Sequence, residues 1–205
     1  MNLLICGDSF AADWTVKYSG KGWPNMLAEQ YNVTNLAQAG CSEYKILKQL
    51  KSADLEQYDQ IIIAHTSPYR VYVRHHPVHQ HDPLHNNCDF IYADLVEHVT
   101  NNKELGSIVH YFENYFDTDY AKDIHTLLCQ EIERFITPVQ DRVISITNLD
   151  YKGLYQFKNM IKFDNLFASN RGLMNHYDEA GNLKIFEILS TTLKRKQNGS
   201  KTSYP

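Results

Sequence analysis

A serine reached from a short apolar run through a glycine is placed to act as a nucleophile. This chain carries one at its start, where Leu3-Leu4-Ile5-Cys6 leads into Gly7-Asp8-Ser9. Such a run reads as a buried strand ending in a sharp turn. Ser9 then stands at the carboxyl edge of the first strand, the edge where open α/β sheets bind ligands. Its hydroxyl can attack an acyl carbon once a base takes the proton and donors hold the oxyanion. His176 is the candidate base, because imidazole titrates near neutral pH and this one directly precedes the last helical pattern, in Asn175-His176-Tyr177-Asp178-Glu179-Ala180-Gly181. The stretch Asn35-Leu36-Ala37-Gln38-Ala39-Gly40-Cys41-Ser42 ends a second strand in a glycine and a helix start. The Gly40 N–H is thus a candidate oxyanion donor. Each residue also has a plainer use: Ser9 as a helix cap, His176 as an exposed loop histidine, Gly40 as part of an ordinary strand-to-helix turn.

Holding these residues together takes a sheet. Residues 2–6, 32–37 and 61–64 read as strands. Between them, Trp23 to Gln30 reads as a helix with Pro24 in its first turn, and Ser42 caps a helix to about Leu50. This β-α-β-α-β order implies a mostly parallel sheet covered on both faces. Residues 70–87 lack periodicity and read as a long loop. Ile108, Tyr111, Phe112, Tyr115 and Phe116 form one helical face, and Ile124, Leu127, Leu128, Ile132 and Phe135 another. These predict a helical insertion before a fourth strand at residues 142–147. Residues 150–175 read as irregular. Asn182 caps a last helix that turns Ile185, Phe186, Leu189 and Leu193 inward. One domain over residues 1–193, followed by a disordered basic tail over 194–205, is the expected organisation.

The 205 residues are 43% hydrophobic and 21% charged, as in soluble globular proteins. A net charge of −4 gives no general reason to expect a nucleic-acid partner. No signal peptide or membrane span is legible, and Cys6, Cys41, Cys88 and Cys129 are scattered without a CxxC pair. Reduced, buried thiols and a cytoplasmic location are expected.

In order and spacing these residues resemble the SGNH (GDSL-type) hydrolase family. Gly7-Asp8-Ser9 matches its first block. Gly22-Trp23-Pro24 with the following helix, then Asn35-Leu36-Ala37 and Gly40, resemble its second block and approach. His176 with Gly181 resembles its fifth. The resemblance spans most of the chain. It implies a flavodoxin-like three-layer α/β/α fold and metal-free serine chemistry: an esterase, a glycan O-deacetylase or an O-acyltransferase, taking a small-molecule or glycan acyl ester and no cofactor. Two positions depart from the family. Its third block, Gly-x-Asn-Asp, is here Ala64-His65-Thr66-Ser67, which puts Thr66 where an oxyanion-holding Asn stands. Its acid, three residues before the histidine, is here Leu173. Arg70 could supply charge in place of the Asn, and Asp164 could orient His176 from a distance; Asp8 is a further supporting residue. The expectation is a Ser-His dyad or a non-standard triad. The alternative, motivated by the same departures, is an SGNH-like binding or interaction module that has lost catalysis.

The loop holds His75, His76, His79, His81 and His85, five of the ten histidines. A zinc or nickel site is one reading. No helical i, i+4 pair frames these residues, so the expectation is a flexible, partly solvated loop over the cleft and no metal.

Overall fold

The structure, a computed structural model, describes residues 1–148, 155–158, 160–172 and 176–200. Five strands form one parallel sheet: β1 (Asn2–Gly7), β2 (Asn32–Asn35), β3 (Gln60–His65), β4 (Val143–Thr147) and β5 (Ile161–Lys162). Their order is β2-β1-β3-β4-β5. Among the described residues the α-helices are α1 (Trp23–Ala28), α2 (Glu43–Ser52), α3 (Tyr92–His98), α4 (Gly106–Asn114), α5 (Thr118–Ile136), α6 (Asp164–Ser169) and α7 (Glu179–Ser200).

The apolar runs of β1, β3 and β4 are unbroken because both sheet faces are covered. Alternate residues serve opposite faces. Leu3, Ile5, Ile62, Ala64, Ile144 and Ile146 pack with Trp23 and Leu27 of α1 and with Ile185, Leu189 and Leu193 of α7. Leu4, Cys6, Ile61, Ile63 and Val143 pack with α2 and with Cys129, Ile132 and Ile136 of α5. The result is the three-layer α/β/α architecture of flavodoxin-like proteins. The strand order reverses at β1, with β2 on one side and β3 on the other. A crevice at the carboxyl ends of β1 and β3 follows from that reversal.

Several elements differ from the sequence reading. The irregular stretch contains β5 and α6. Within the insertion, α3 and α4 surround Phe90, Leu95 and Leu105, joined by Val71, Val73 and Val78 of the histidine-rich loop. By contrast, α5 is a layer helix of the sheet. Its buried side is Ala121, His125, Cys129, Ile132 and Ile136, while Ile124 and Leu127 are exposed. The apolar pattern misplaces this face because a histidine and a cysteine occupy core positions. The last helix runs on to Ser200. Lys194, Arg195, Lys196 and Gln197 are good helix formers, and the Lys196 ammonium donates to the Asp141 and Val143 carbonyls at 2.7 and 3.1 Å. Residues 201–205 of the expected tail, and Leu173, lie outside the described residues. No helix of the described residues is long and apolar enough to cross a membrane.

Candidate active site

The turn carrying Ser9 is set by the backbone beneath it. A Cβ on Gly7 would lie 2.7 Å from the Ala64 Cβ and 2.9 Å from the Ala64 carbonyl oxygen, so β3 approaches this closely only because residue 7 is glycine. The Gln49 side chain clamps Gly7 from α2: it accepts from the Gly7 N–H at 2.8 Å and donates to the Gly7 carbonyl at 3.1 Å. Asp8 closes the turn. Its Oδ1 accepts from the Phe10 N–H and its carbonyl from the Ala11 N–H, both at 3.0 Å. Ser9 is 5% exposed. The Trp14 indole N–H donates to its carbonyl at 2.7 Å.

His176 comes to the same place from the other end of the chain. Its ring centroid lies 4.3 Å from that of Trp14 and 4.9 Å from that of Phe10. Its carbonyl accepts from the Gly172 N–H at 2.6 Å. The next residue anchors the segment: Tyr177 is buried, and its hydroxyl donates to Asn148 Oδ1 at 2.8 Å. Burial pushes the Tyr177 phenol well above its ordinary value, so it stays a donor. Gly181 must be small here, because a Cβ would meet the Tyr177 ring at 2.8 Å.

Ser9 and His176 line two adjoining cavities. The larger, about 830 Å³, has Phe10, Trp14, Tyr18 and Met26 on its walls, with Lys21 and Asn182 among its polar groups. The smaller, about 130 Å³, brings Ser9 and His176 together with Gly40 and Arg70. Gly40 has φ +74°, and a Cβ there would sit 2.6 Å from the Cys88 Cβ, so conformation and space both require glycine. Arg70 Nη1 donates to the Gly40 carbonyl at 3.1 Å, and its buried Nε makes no hydrogen bond. Among the described residues, Arg70 is the only arginine or lysine lining the smaller cavity.

Two candidates are placed elsewhere. Thr66 is fully buried and lines neither cavity; its hydroxyl donates to Asp8 Oδ2 at 2.7 Å. The side chain expected to hold an oxyanion therefore braces the nucleophile's turn from behind. Asp164, in the first turn of α6, also lines neither cavity. No hydrogen bond joins Ser9 to His176. Apo sites are often loose in this way and tighten on binding substrate.

Sequence reasoning missed a buried ionic group behind Thr66. Glu43 Oε1 pairs with His65 Nδ1 at 2.6 Å and Oε2 accepts from the Thr66 N–H at 3.1 Å. His125 Nε2 donates to the Thr66 carbonyl at 3.0 Å and lies 3.5 Å from Glu43 Oε2. Burial works to raise the Glu43 carboxyl, but the two imidazoles outweigh it and hold the group well below its ordinary range. For His125, burial opposes the charged form, yet the hydrogen bond and charge of Glu43 prevail and raise it. Burial raises Asp8, against the lowering effects of Arg70 and the Thr66 hydroxyl. The signal available in the sequence was His125 breaking the apolar stripe of α5. All four cysteines are free and buried, and burial raises each thiol, so none competes with Ser9 as a nucleophile.

The geometry defines a flavodoxin-like α/β/α protein with a serine and a histidine sharing a cavity at the sheet's switch point. No family model, curated protein or solved structure matches the chain.

Proposed function

We propose that the protein is a serine-dependent acyl hydrolase or acyltransferase of the SGNH type, acting on an ester of a small molecule or glycan. The observation that carries this is the convergence of Ser9, His176, Gly40 and Arg70 on one small cavity beside β1. Ser9 Oγ attacks the acyl carbon while His176 takes its proton. The N–H groups of Ser9 and Gly40, with the Arg70 guanidinium, hold the oxyanion. His176 returns the proton to the leaving alcohol, and the acyl-enzyme is then cleaved by water, or by an acceptor hydroxyl, deprotonated by His176. The larger cavity, with aromatic walls and a few polar groups, suits the alcohol part of the ester. Free, buried cysteines favour a reducing, cytoplasmic location.

Hydrolysis of p-nitrophenyl acetate and of acetylated oligosaccharides by wild type and Ser9→Ala tests the reading. Turnover at the background rate in a variant that melts like wild type is the expected result. Turnover retained in that variant would refute the mechanism.

A second reading, a binding module without turnover, is favoured by one observation: the Thr66 hydroxyl is committed to Asp8, so the residue at the position of the family's oxyanion Asn does not face the cavity. Slow hydrolysis that depends on Ser9 would exclude this reading.

A further inference from the structure

The histidine-rich loop does not lie open over the cleft. It pairs through Val71 with Phe90, and His76 within it is fully buried. At its far end Asp94, on α3, stands among three imidazoles. His79 Nε2 is 2.9 Å from Asp94 Oδ1, His76 Nε2 is 3.4 Å from Oδ2, and His98 Nδ1 is 3.5 Å from Oδ1. The Cys88 thiol adds a third type of donor. One ligand atom from each of His76, His79 and Cys88 lies within 4.8 Å of the others, and the trio His79, Asp94 and His98 meets the same limit. The two trios share His79.

Among the described residues, two buried atoms at the centre of this cluster, His76 Nε2 and Asp94 Oδ2, have only each other, at a long 3.4 Å and without hydrogen-bond geometry. Such atoms carry a desolvation cost that a native fold normally offsets with a partner. The buried trio behind Ser9, which consists of Glu43, His125 and Cys129, differs: both Glu43 oxygens already accept hydrogen bonds. One cluster is closed by its own partners, and the other is open at its centre.

We propose that His76, His79, Cys88 and Asp94 form a binding site for a divalent transition-metal ion of the zinc class. Two imidazoles, a thiolate and a carboxylate make a donor set of intermediate softness, which suits tetrahedral zinc. Ligand bonds of about 2.0–2.3 Å put tetrahedral ligand atoms about 3.3–3.8 Å apart; the ligand atoms of His76, His79 and Cys88 now lie within 4.8 Å of one another, and Asp94 lies 2.9 Å from His79 and 3.4 Å from His76, so only modest closure is needed around these pairs. Binding releases the thiol proton to solvent. Ligation through His76 Nε2 puts the ring proton on Nδ1 and gives up the long, 3.3 Å contact from the Val78 N–H. His98 donates from Nδ1 to the Asp94 carbonyl at 2.8 Å and holds the ligand-bearing turn of α3 in place. His79, Cys88 and Asp94 also line the smaller cavity, so the ion would pin the loop to α3 and fix the wall that Ser9 shares. The site stands whether or not the protein is a hydrolase.

The full chain, treated with chelator and dialysed, is titrated with zinc chloride by calorimetry and with cobalt chloride by absorbance. One equivalent of zinc, a rise in Tm, and a near-ultraviolet thiolate-to-cobalt band are expected. The band should vanish in Cys88→Ser and persist in Cys129→Ala. Zinc affinity should fall by about 100-fold or more in His79→Gln, a substitution at a side chain 16% exposed and so less disruptive than one at buried His76 or Cys88. No binding above background by wild type would overturn the proposal. So would an unchanged affinity in folded His79→Gln, or a cobalt band lost only with Cys129.

Discussion

Ser9 and His176 face the same cavity, but different forces hold them there. The Ser9 turn grows from β1, an interior strand of the parallel sheet, and is fixed by directional bonds: Gln49 on both groups of Gly7, Asp8 on its own turn, and Thr66 on Asp8. His176 makes ring contacts with Phe10 and Trp14, and its neighbour Tyr177 is anchored by its hydroxyl. Hydrogen bonds to buried groups specify one geometry, whereas aromatic contacts tolerate a range. Ser9, the proposed nucleophile, is thus built into the sheet, and His176, the proposed base, is laid against it. Trp14 couples the two, since its ring touches His176 and its N–H holds the Ser9 carbonyl.

Substitutions can break or sharpen that contrast. The largest effect is expected at Ser9: Ser9→Ala should lower kcat for an acyl ester by at least about 10⁴-fold, with no change in Tm. His176→Ala should cost about 10²–10⁴-fold in kcat. Trp14→Phe keeps a ring beside His176 but removes the bond to Ser9. A loss of about 10-fold in kcat is expected, because small misplacements at the reacting atoms are costly. An effect as large as that of His176→Ala would mean that Trp14, rather than the sheet, sets the nucleophile.

Thr66→Val reverses the balance between activity and stability. It should destabilise the fold by about 1–3 kcal/mol, by leaving buried Asp8 short of a donor, while changing kcat by less than about tenfold. A loss of about 10²–10³-fold at unchanged Tm would instead mark Thr66 as an oxyanion donor. The smallest effect concerns pH. Glu43 is held low, so its contribution to stability is full above its ordinary value of 4.5 and fades as pH falls below it. His125 is raised, so its contribution is full below 6.5 and fades as pH rises above it. The Tm difference between wild type and Glu43→Gln should therefore be widest between pH 4.5 and 6.5 and narrow on either side.

Much of the scaffold was legible because buried parallel strands appear as unbroken apolar runs: β1, β3 and β4 stood out. So did the glycines at 7, 40 and 181, each of which meets a close neighbour. β5 was not legible, since Ile161 and Lys162 are two residues with no pattern to detect. The buried side of α5 was misplaced because His125 and Cys129 replace the apolar residues that periodicity looks for. Ser9 and His176 could be paired from the order of motifs, but the role of Thr66 could not. A hydroxyl at that position can face the cavity or Asp8 with the same sequence around it. The loop histidines were likewise ambiguous, because their carboxylate partner, Asp94, lies in the next helix.

The most direct test of the central claim, that Ser9 is an activated nucleophile, is intact-protein mass spectrometry after incubation with a fluorophosphonate, with the modified peptide then mapped. The account predicts a single adduct on Ser9, absent from Ser9→Ala and formed more slowly in His176→Ala. A folded protein that remains unmodified under conditions that label a serine esterase, or that is modified at another residue, would contradict it.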